Sequence, residues 1–483
     1  MGWQYLSSVP ILGGLLVLYW IAILIIMIND GREPTKTLAW LFLLVVFPGF
    51  GLIFYYFFGR NWKKKTMKGA WIKEIRGLVN PVFKRIQDTY AADSDEARAW
   101  SDEHGYAHLT KLIETSENSV PLPAYDVDLM PSGEEKFTKL IEDISKATDS
   151  INIQYFIWER DELTARLTTA LLERLKAGVE VRMLNDYIGN IQYKKDEITR
   201  MREAGAKINY DVKEIGKVNY RDHRKIVVID GVLGYTGGIN VGQEYIDGGE
   251  KYPTWRDSHV RFWGPAVAPL QGLFSARWHE QTGENLFVER FFPLEYPVGE
   301  KRSLAQVVST GVENPWESAR RAHVVAMGLA KKRLWVQSPY YVPDDAVQET
   351  LVNAALSGID VRFMMTGWPD KKIAWYAAES YFRPLLEAGA RVYHYNAGFF
   401  HAKTMTVDGM LACIGTMNLD IRSLELHKEL MVWFYDQALA EEHERIFEAD
   451  LEHCDEFTLE KLDSRTPMQV FRNSAARLAS NML

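Results

Sequence analysis

The hydrophobic pattern begins with two long apolar runs that contain no charged residue. They cover residues 10–28, which is 19 residues, and residues 38–59, which is 22 residues. A hydrocarbon core of about 30 Å is crossed by roughly 20 helical residues, so each run is long enough. The link at 29–37 is short and polar, and the pattern therefore predicts a transmembrane helical hairpin within residues 1–60. The alternative is a cleaved signal peptide before a buried helix, but the start MGWQYLSS has no basic region and no small-x-small cleavage site follows.

Apolar residues at near-helical spacing continue from Met67 to Ile86, with an interruption at Asn80-Pro81. The basic residues interleaved with them are Lys68, Lys73, Arg76, Lys84 and Arg85. Such a helix either lies in the headgroup plane, where each basic residue contributes about 1 kcal/mol, or packs on a folded domain with its basic face in water. The pattern leaves both interpretations open, and we assign residues 61–118 to basic juxtamembrane and linker helices.

From about residue 120 the pattern occurs twice. The matched blocks are 151–155 with 334–338, 177–182 with 357–362, 203–206 with 387–390, and 223–225 with 401–403. Each copy has the order strand, helix, strand, helix, strand, which is typical of parallel βαβ units with helices on both faces of a sheet. We therefore predict an α/β fold with two domains, 119–310 and 311–483, related by a pseudo-twofold axis and with an active site at their seam.

Charge is unevenly distributed along the chain. Residues 1–70 hold seven Lys or Arg against two Asp or Glu, so the total of −8 leaves −13 on residues 71–483. Such an acidic remainder argues against nucleic-acid binding, because counterion release needs clustered Lys and Arg. Arg60 and the lysines at 63–65 directly follow the second apolar run, and the positive-inside rule then predicts that the catalytic domains face the cytoplasm.

Each copy of the repeat carries one polar motif. The first contains His223, Lys225, Asp230 and Asn240, and the second contains His401, Lys403, Asp408 and Asn418. Both fit His-x-Lys, four residues, Asp, six residues, then Gly, a small residue, any residue and Asn. Positions i and i+2 of a strand share one face, so the His and the Lys of each motif are expected to point into one pocket.

This double pattern resembles the phospholipase D superfamily over roughly residues 120–480. The apolar hairpin, Arg-Asp-His-Arg-Lys at 221–225 and Asn-Leu-Asp-Ile-Arg-Ser at 418–423 are similar to bacterial cardiolipin synthases. The resemblance implies two phospholipase D-like α/β domains behind a transmembrane hairpin. The implied activity is reversible phosphatidyl transfer between two phosphatidylglycerols, which gives cardiolipin and glycerol through a phosphatidyl-histidine.

The resemblance also implies the roles of the histidines. It makes His223 the nucleophile and His401 the acid and later the base, although the sequence itself does not distinguish them. Each histidine is expected to be oriented by an acid from the opposite half, and we assign Glu429 to His223 and Asp257 to His401. His427 is a possible neighbour of the site, at a position where the family more often has an amide.

The chemistry of a phosphodiester fits these residue types. A neutral imidazole attacks phosphorus, and a protonated one gives the leaving alkoxide its proton. Lys225, Lys403, Asn240 and Asn418 are expected to converge on the non-bridging oxygens of the phosphate. Asp230 and Asp408 belong to the catalytic motifs, but they end their strands and are expected to cap a turn rather than touch substrate.

No cofactor and no metal ion is predicted. The four donors around the phosphate take the place of a metal ion, and no cluster of ligands has metal-binding spacing. The two cysteines, Cys413 and Cys454, have no such spacing either and offer no disulfide framework.

Three alternatives to the synthase differ in what they require. A hydrolytic phospholipase D, or a transferase with another alcohol acceptor, differs only in the second step. A nuclease of the same superfamily is disfavoured by the acidic remainder, and an inactive scaffold by the two complete motifs. We therefore expect a multi-pass protein of the bacterial cell membrane, with phosphatidylglycerol, cardiolipin and an anionic membrane surface as partners and no nucleic acid. Acceptor range and oligomeric state stay open.

Overall fold

The computed structural model describes residues 14, 17–25, 27–29, 34–59, 70–187, 189–190, 195–211, 220–311, 314–478 and 480. It divides into two compact units, 1–69 with 214–219 and 70–213 with 220–483. Parts of the predictions above fall outside the described residues. These parts are 10–13, 15–16 and 26 of the first apolar run, 30–33 of the link, and the basic residues between 60 and 68.

The first unit is helical where it is described. Its helical segments are 17–25, 27–29, α1 (Pro34–Val46), α2 (Pro48–Phe54) and a π-helical turn at Tyr55–Gly59. Phe47 has φ −129° and ψ 70°, outside the helical region, and Pro48 has no backbone N–H to continue the helix before it. The second apolar run is therefore divided. Among the described residues, no helix combines the length and the apolar character that crossing a membrane requires.

The second unit opens with α3 (Ala70–Thr89), α4 (Ala91–His104) and α5 (Ala107–Glu117). The interruption predicted at Asn80-Pro81 is wrong, because α3 continues through Pro81. The apolar side of α3 is buried against the unit: Ile86 is in the core, and the ring of Phe83 lies 6.0 Å from that of Phe292. This burial outweighs the one backbone hydrogen bond that proline removes. Of the two interpretations above, the structure therefore favours a helix that packs on the folded domain.

The rest of the second unit contains two series of strands and helices. The first series is β1 (Leu122–Met130), α6 (Gly133–Lys146), β2 (Ser150–Tyr155), α7 (Glu162–Lys176), β3 (Glu180–Asp186), α8 (Lys195–Glu203), β4 (Lys207–Asp211), β5 (Ile226–Ile229), β6 (Leu233–Gly237), α9 (Glu244–Asp247), β7 (Trp255–Arg256), β8 (His259–Trp263) and α10 (Ala268–Thr282). The second series is β9 (Arg302–Thr310), α11 (Ser318–Leu329), β10 (Arg333–Gln337), β11 (Tyr341–Val342), α12 (Asp345–Leu356), β12 (Asp360–Thr366), α13 (Lys372–Glu379), α14 (Phe382–Glu387), β13 (Arg391–Tyr395), β14 (Phe399–Phe400), β15 (Thr404–Val407), β16 (Leu411–Gly415), β17 (Leu419–Asp420), α15 (Ile421–Glu425), β18 (Glu429–Tyr435), α16 (Gln437–Leu451), β19 (Cys454–Phe457), α17 (Leu459–Asp463) and α18 (Pro467–Leu478).

Corresponding helices of the two series begin in the same way. Asp161 precedes α7 and accepts a hydrogen bond from the backbone N–H of Thr164, and Asp344 precedes α12 and accepts one from Val347. Each carboxylate satisfies a backbone donor that the first turn of a helix leaves without a partner. The helix start after the first repeated strand is therefore encoded locally in both copies.

Fifteen of the described strands form one sheet in the order β19-β13-β12-β10-β15-β16-β18-β9-β1-β8-β6-β5-β2-β3-β4. Counted outward from β1 and from β9, the two halves have matching strand orders, and β19 is an extra strand at one edge. β1 and β9 pair antiparallel, with Leu122 opposite Ala305. This order is that of two copies joined at one antiparallel pair, so a pseudo-twofold axis passes between β1 and β9.

Within the fifteen-stranded sheet, the described strands that pair in parallel are outer strands of each half. β2, β3 and β4 pair in parallel, as do β10, β12 and β13, and helices connect them. β5 and β6 form an antiparallel hairpin, as do β15 and β16, because short turns at 230–232 and 408–410 join them. The predicted βαβ units therefore account for the outer part of each half, and hairpins build the part nearest the seam.

Candidate active site

Backbone pairing between the halves holds the first histidine motif. Asp222 and Lys428 form an isolated parallel bridge, and the backbone N–H of His223 donates to the carbonyl of Lys428 at 2.9 Å. The next residue after Lys428 is Glu429, at the start of β18. Its two carboxylate oxygens each lie 3.0 Å from Nδ1 of His223. The opposite half therefore supplies the carboxylate that contacts this histidine.

The second motif is held in the same manner with the halves exchanged. β14 pairs in parallel with β7, and the backbone N–H of His401 donates to the carbonyl of Arg256 at 2.7 Å. Asp257 follows Arg256, and its Oδ2 lies 2.7 Å from Nδ1 of His401. Both carboxylates are almost fully buried, at 1% exposed for Asp257 and 0% for Glu429. A Nδ1–H donated to each carboxylate leaves Nε2 of the ring available for chemistry.

The small residue of each Gly-small-x-Asn motif lies beside the acid that contacts the opposite histidine, and its size differs between the two motifs as the length of that acid does. A Cβ added at Gly238 would lie 2.0 Å from Oδ1 of Asp257, so only glycine leaves room for this carboxylate. The equivalent residue in the second motif is Thr416, whose hydroxyl donates to Oε2 of Glu429 at 2.6 Å. The motif therefore positions the acid that contacts the opposite histidine, a function that its spacing alone did not indicate.

Burial favours the neutral form of both catalytic imidazoles. Burial, followed by the nearby cations of Lys225 and Lys403, lowers the pKa of His223 well below its ordinary value. Burial and then Lys403 lower the pKa of His401 to about 4, although Asp257 opposes the shift. A neutral imidazole is the form that attacks phosphorus. The acid role needs a proton, whose binding an anionic phosphate beside the ring would favour.

The lysines of the two motifs lie fully inside the protein. Lys225 donates to the backbone carbonyl of His223 at 2.7 Å, and Lys403 donates to that of His401. Burial lowers the pKa of Lys225 to about 7 and the pKa of Lys403 to about 8, against the opposing effect of the two carboxylates. A phosphate anion would stabilise both ammonium groups, so the pair is suited to binding one. The sequence predicted that each His-Lys pair lies on a strand. In the structure each pair lies in the segment directly before a strand, because β5 and β15 begin only after the lysine.

The two asparagines line the same cavity but differ in their contacts. Asn240 accepts a hydrogen bond from the backbone N–H of Ile157 at 3.3 Å and donates to the hydroxyl of Tyr245 at 2.8 Å. Oδ1 of Asn418 is buried and has no hydrogen-bond partner. Asn418 therefore keeps hydrogen-bonding capacity for a bound molecule, while Asn240 is held by its neighbours.

Asp230 and Asp408 do not lie with the histidines, because β5 and β15 separate them from the cavity. Asp230 accepts hydrogen bonds from the backbone N–H groups of residues 148, 149 and 150, at the start of β2, and Asp408 accepts from those of 331, 332 and 333, at the start of β10. Both have positive φ, 54° and 57°. We therefore correct their inclusion among the catalytic residues, since the contacts are those of turn caps.

One cavity of about 380 Å³ contains both histidines and both asparagines. The other side chains that line it are Phe156, Ile157, Arg221, Glu244, Tyr245, Trp255, Tyr340, Asp370, Lys371, Ala374, Phe399, Asp420, Arg422 and His427. His427 is thus a neighbour of the site, with its ring 6.0 Å from that of His223. The sequence analysis did not name Glu244, and it quoted Arg422 within residues 418–423 without giving it a role. Both lie four residues after the asparagine of a motif, a spacing that could have indicated them.

Among the residues whose placement is described, no group of three or more His, Cys, Asp or Glu side chains is arranged to hold a metal ion. The two cysteines are free, with Cys413 buried and Cys454 partly buried.

Two family models match the chain. One, described as cardiolipin synthase, PLD-like domain, matches residues 140–250 and 324–451. The other, described as phospholipase D-nuclease N-terminal, matches residues 17–60. Each of the two matches of the first model therefore contains one complete histidine motif.

Curated relatives match nearly the whole chain. Cardiolipin synthase 1 of Bacillus cereus is 33% identical over 494 residues, which cover 99% of this chain and 95% of that protein. The major cardiolipin synthase of Bacillus subtilis is 34% identical, covering 95% of this chain and 96% of that protein. The crystal structure of phosphatidylserine synthase from Haemophilus influenzae covers 78% of this chain and 100% of its own, with a TM-score of 0.59 and 17% identity. At that identity the likeness shows the fold alone, and it agrees with the predicted α/β architecture.

Proposed function

The chain belongs to the cardiolipin synthase family with phospholipase D-like domains, and we propose that it transfers the phosphatidyl group of one phosphatidylglycerol to another. The products are cardiolipin and glycerol, and the enzyme is a phosphatidyltransferase. One observation carries the proposal: two buried histidines face one cavity, and each has its Nδ1 on a carboxylate from the opposite half. A paired nucleophile and acid of this kind suit a displacement in two steps at phosphorus.

In the first step Nε2 of His223 attacks phosphorus, and the bond from phosphorus to the oxygen of the glycerol headgroup breaks. His401 gives that oxygen its proton, so glycerol leaves as a neutral alcohol. Lys225 and Lys403 are the cations that stabilise the charge gathering on the non-bridging oxygens. The carboxylate of Glu429 stabilises the positive charge that the ring of His223 acquires.

In the second step His401 is neutral and takes the proton from a headgroup hydroxyl of a second phosphatidylglycerol. The hydroxyl oxygen attacks phosphorus, the bond from phosphorus to Nε2 of His223 breaks, and His223 is regenerated. One phosphodiester is exchanged for another, so no external energy source is needed and the reaction runs in both directions. Burial favours the neutral form of His223 and so supports this order of events, since the nucleophile needs no deprotonation. The proton that His401 gives to the headgroup oxygen in the first step is taken up when the anionic phosphate binds beside the ring.

Product analysis tests the proposal. The purified chain in detergent micelles is given phosphatidylglycerol as its sole lipid, and the lipid products and free glycerol are measured by mass spectrometry. We expect cardiolipin and glycerol in equal amounts, and no product from the His223→Gln variant. Phosphatidic acid as the sole lipid product of the wild type would overturn the synthase in favour of a hydrolase.

We also propose that residues 1–60 anchor the enzyme in the bacterial cell membrane as a multi-pass hairpin, with the catalytic unit on the cytoplasmic side. Large apolar side chains lie exposed on the helices of the first unit, among them Ile21, Leu24, Phe42 and Phe50. Basic residues cluster directly after residue 59, as the positive-inside rule requires of a cytoplasmic flank.

Cysteine labelling tests this topology in intact cells. After Cys413 and Cys454 are replaced by alanine, a membrane-impermeant maleimide is applied to Arg32→Cys and to Lys64→Cys. We expect position 32 to react from outside and position 64 only after the cells are opened. Reaction of both positions only after lysis would contradict the hairpin.

A further inference from the structure

The catalytic groups obey the pseudo-twofold symmetry, but three neighbouring positions do not. The position four residues after the motif asparagine is Glu244 in the first half and Arg422 in the second. The position two residues before the motif histidine is Arg221 in the first half and Phe399 in the second. The position two residues before the orienting acid is Trp255 in the first half and His427 in the second. All six side chains line the cavity. A symmetric frame therefore holds a cavity whose two sides differ in chemistry.

The side around His401 is aromatic and acidic. The rings of Phe399, Trp255 and Tyr245 lie 5.7, 6.0 and 6.4 Å from the ring of His401. Glu244 adjoins Tyr245, whose pKa its charge helps to raise. We call these four residues the headgroup wall: Glu244, Tyr245, Trp255 and Phe399.

The side around His223 carries two arginines, Arg221 and Arg422, and Arg221 is paired with the carboxylate of Asp186. The ring of His427 lies 6.0 Å from that of His223, and the guanidinium of Arg221 lies 4.8 Å from the ring of Phe156, which itself contacts His223. Arg422 lies close enough to His427 to lower its pKa. The three pairs of positions therefore place Arg221, Arg422 and His427 beside His223, where the other half has Phe399, Glu244 and Trp255 beside His401.

Glu244 is the one carboxylate of the headgroup wall. Within the described part of the chain, no donor hydrogen-bonds its side chain. Burial, followed by the charges of Glu159 and Asp161, raises the pKa of Glu244 to about 7. A half-buried carboxyl group in this state accepts a hydrogen bond from a hydroxyl or donates one to it.

We propose that Glu244 is a specificity-determining residue that hydrogen-bonds the free hydroxyls of the glycerol headgroup, against the headgroup wall. The inference rests on the proposed function, in which His223 attacks phosphorus from the side opposite the leaving oxygen. The headgroup then lies on the side of His401 in both steps, first as the leaving alcohol and then as the acceptor. The residues around His401 therefore meet every alcohol that the enzyme releases or accepts.

The packing of the rings favours a hydroxylated headgroup over an ammonium headgroup. Trp255 lies 4.6 Å from Tyr245 and 4.6 Å from Phe399, ring centre to ring centre. Rings at that separation contact one another, so no gap between them encloses a quaternary ammonium, which needs several open aromatic faces. The wall offers a flat apolar surface with one carboxyl group, which matches a short polyol.

Competition between two soluble alcohols tests the role of Glu244. The full chain in detergent micelles receives phosphatidylglycerol with isotope-labelled glycerol and propan-1-ol, and the ratio of labelled phosphatidylglycerol to phosphatidylpropanol is measured. We expect wild type to prefer glycerol. Glu244→Ala should reduce that preference about 10- to 100-fold, the range for losing a hydrogen bond to a charged group, and Glu244→Gln should retain part of it.

Two further measurements separate recognition from a structural role. The first is the rate of phosphatidyl-enzyme formation from a p-nitrophenyl phosphodiester, which has no glycerol; it should change little in either variant. The second is Glu250→Gln, an exposed acid nearby, which should keep the wild-type preference. An unchanged glycerol preference in Glu244→Ala would overturn the proposal, as would a wild-type preference for choline over glycerol. A wild type that makes only phosphatidic acid from phosphatidylglycerol would instead overturn the proposed function.

Discussion

Glu429 meets Nδ1 of His223 through both of its carboxylate oxygens at 3.0 Å, although 206 positions separate the two residues in the chain. The hydroxyl of Thr416 donates to the same carboxylate at 2.6 Å and fixes its direction. Neither half of the chain therefore contains a complete site. The nucleophile of the first half depends on an acid of the second, and His401 depends on Asp257 in the reverse sense.

Replacing Glu429 by glutamine should lower kcat about 10²- to 10⁴-fold, the range expected when a catalytic imidazole loses the anion that stabilises its charged form. The amide keeps the size of the side chain but not its charge. Initial rates with phosphatidylglycerol, together with circular dichroism of the variant, check this. Glu448→Gln, at an exposed position of α16, is the matched control. Equal rates in the two variants would contradict the role of Glu429.

The two histidines should fail in different ways. His223→Ala removes the proposed nucleophile, so no phosphatidyl-enzyme forms. His401→Ala leaves the nucleophile, and with a p-nitrophenyl phosphodiester the leaving group needs no proton. That variant should form the covalent intermediate and then stall, because the base for the acceptor hydroxyl is missing.

Mass spectrometry after an acid-free quench locates the adduct of each histidine variant. An adduct on residue 401 in the His223→Ala protein would reverse the two roles. Inversion of configuration at phosphorus in the wild-type reaction, with no adduct in any variant, would exclude the two-step mechanism itself.

The sequence predicted the catalytic motifs because their spacing repeats, and a repeat is visible without knowing any contact. It also predicted a helix after the first repeated strand of each half, and in the structure Asp161 and Asp344 each cap that helix through a backbone N–H three residues further on. The sequence did not predict that β1 pairs with β9, because the antiparallel pairing of Leu122 with Ala305 is set by long-range packing and not by the local pattern. The same holds for Pro81, whose breaking tendency the buried side of α3 overrides.

The sequence did not predict the differences between the two sides of the cavity, for another reason. Glu244 and Arg422 occupy the same position of the repeat but carry opposite charges. The repeat was recognised from residues that are alike in both halves, so it does not indicate such a pair. Sequence symmetry identified the catalytic frame. The asymmetry around the two histidines needs the structure, because only there do both residues line one cavity.

Asp408→Asn should destabilise the fold and leave the chemistry intact. The carboxylate of Asp408 gathers the backbone N–H groups of residues 331–333 and the hydroxyl of Tyr106. An amide turns one acceptor oxygen into a donor that faces these donors, at a cost of about 1–3 kcal/mol. Asparagine tolerates the positive φ, so backbone strain does not confuse the result.

Thermal unfolding and activity per folded protein, measured well below Tm, check this role of Asp408. Asp230→Asn is the internal comparison, because Asp230 caps residues 148–150 in the same way, and it should lower Tm similarly. A loss of kcat at unchanged Tm would show instead that Asp408 takes part in the reaction.

Chelation should not reduce the rate. We expect Lys225 and Lys403 to stabilise the charge on the phosphate, in the role that a divalent ion would otherwise have. Activity is measured on detergent-solubilised enzyme after exhaustive EDTA treatment and dialysis. A collapse of the rate that only one divalent ion restores would contradict this prediction, whereas an equal response to all salts would reflect the lipid surface.

Acid should weaken the fold through histidines that are buried without charge, and His443 in α16 offers the clearest test. It is 3% exposed, and its ring nitrogens have no hydrogen-bond partner. Burial, and then the charge of Arg256, lower the pKa of His443 to about 3. Its ordinary pKa near 6.5 applies in the unfolded chain, so between pH 6.5 and pH 3 the unfolded state binds the extra proton. Stability therefore falls as the pH falls through this window.

Replacing His443 by leucine removes the proton-binding group while keeping a side chain of similar size. Between pH 7 and pH 4.5 the variant should lose about 2 kcal/mol less free energy of unfolding than wild type, since one proton contributes about 1.4 kcal/mol per pH unit. Urea unfolding at a series of pH values measures the difference. His108→Leu, at an exposed position of α5, controls for the loss of a histidine as such. Parallel pH profiles for wild type and His443→Leu would mean that the buried ring takes up its proton without unfolding, because the interior around α16 solvates the charge.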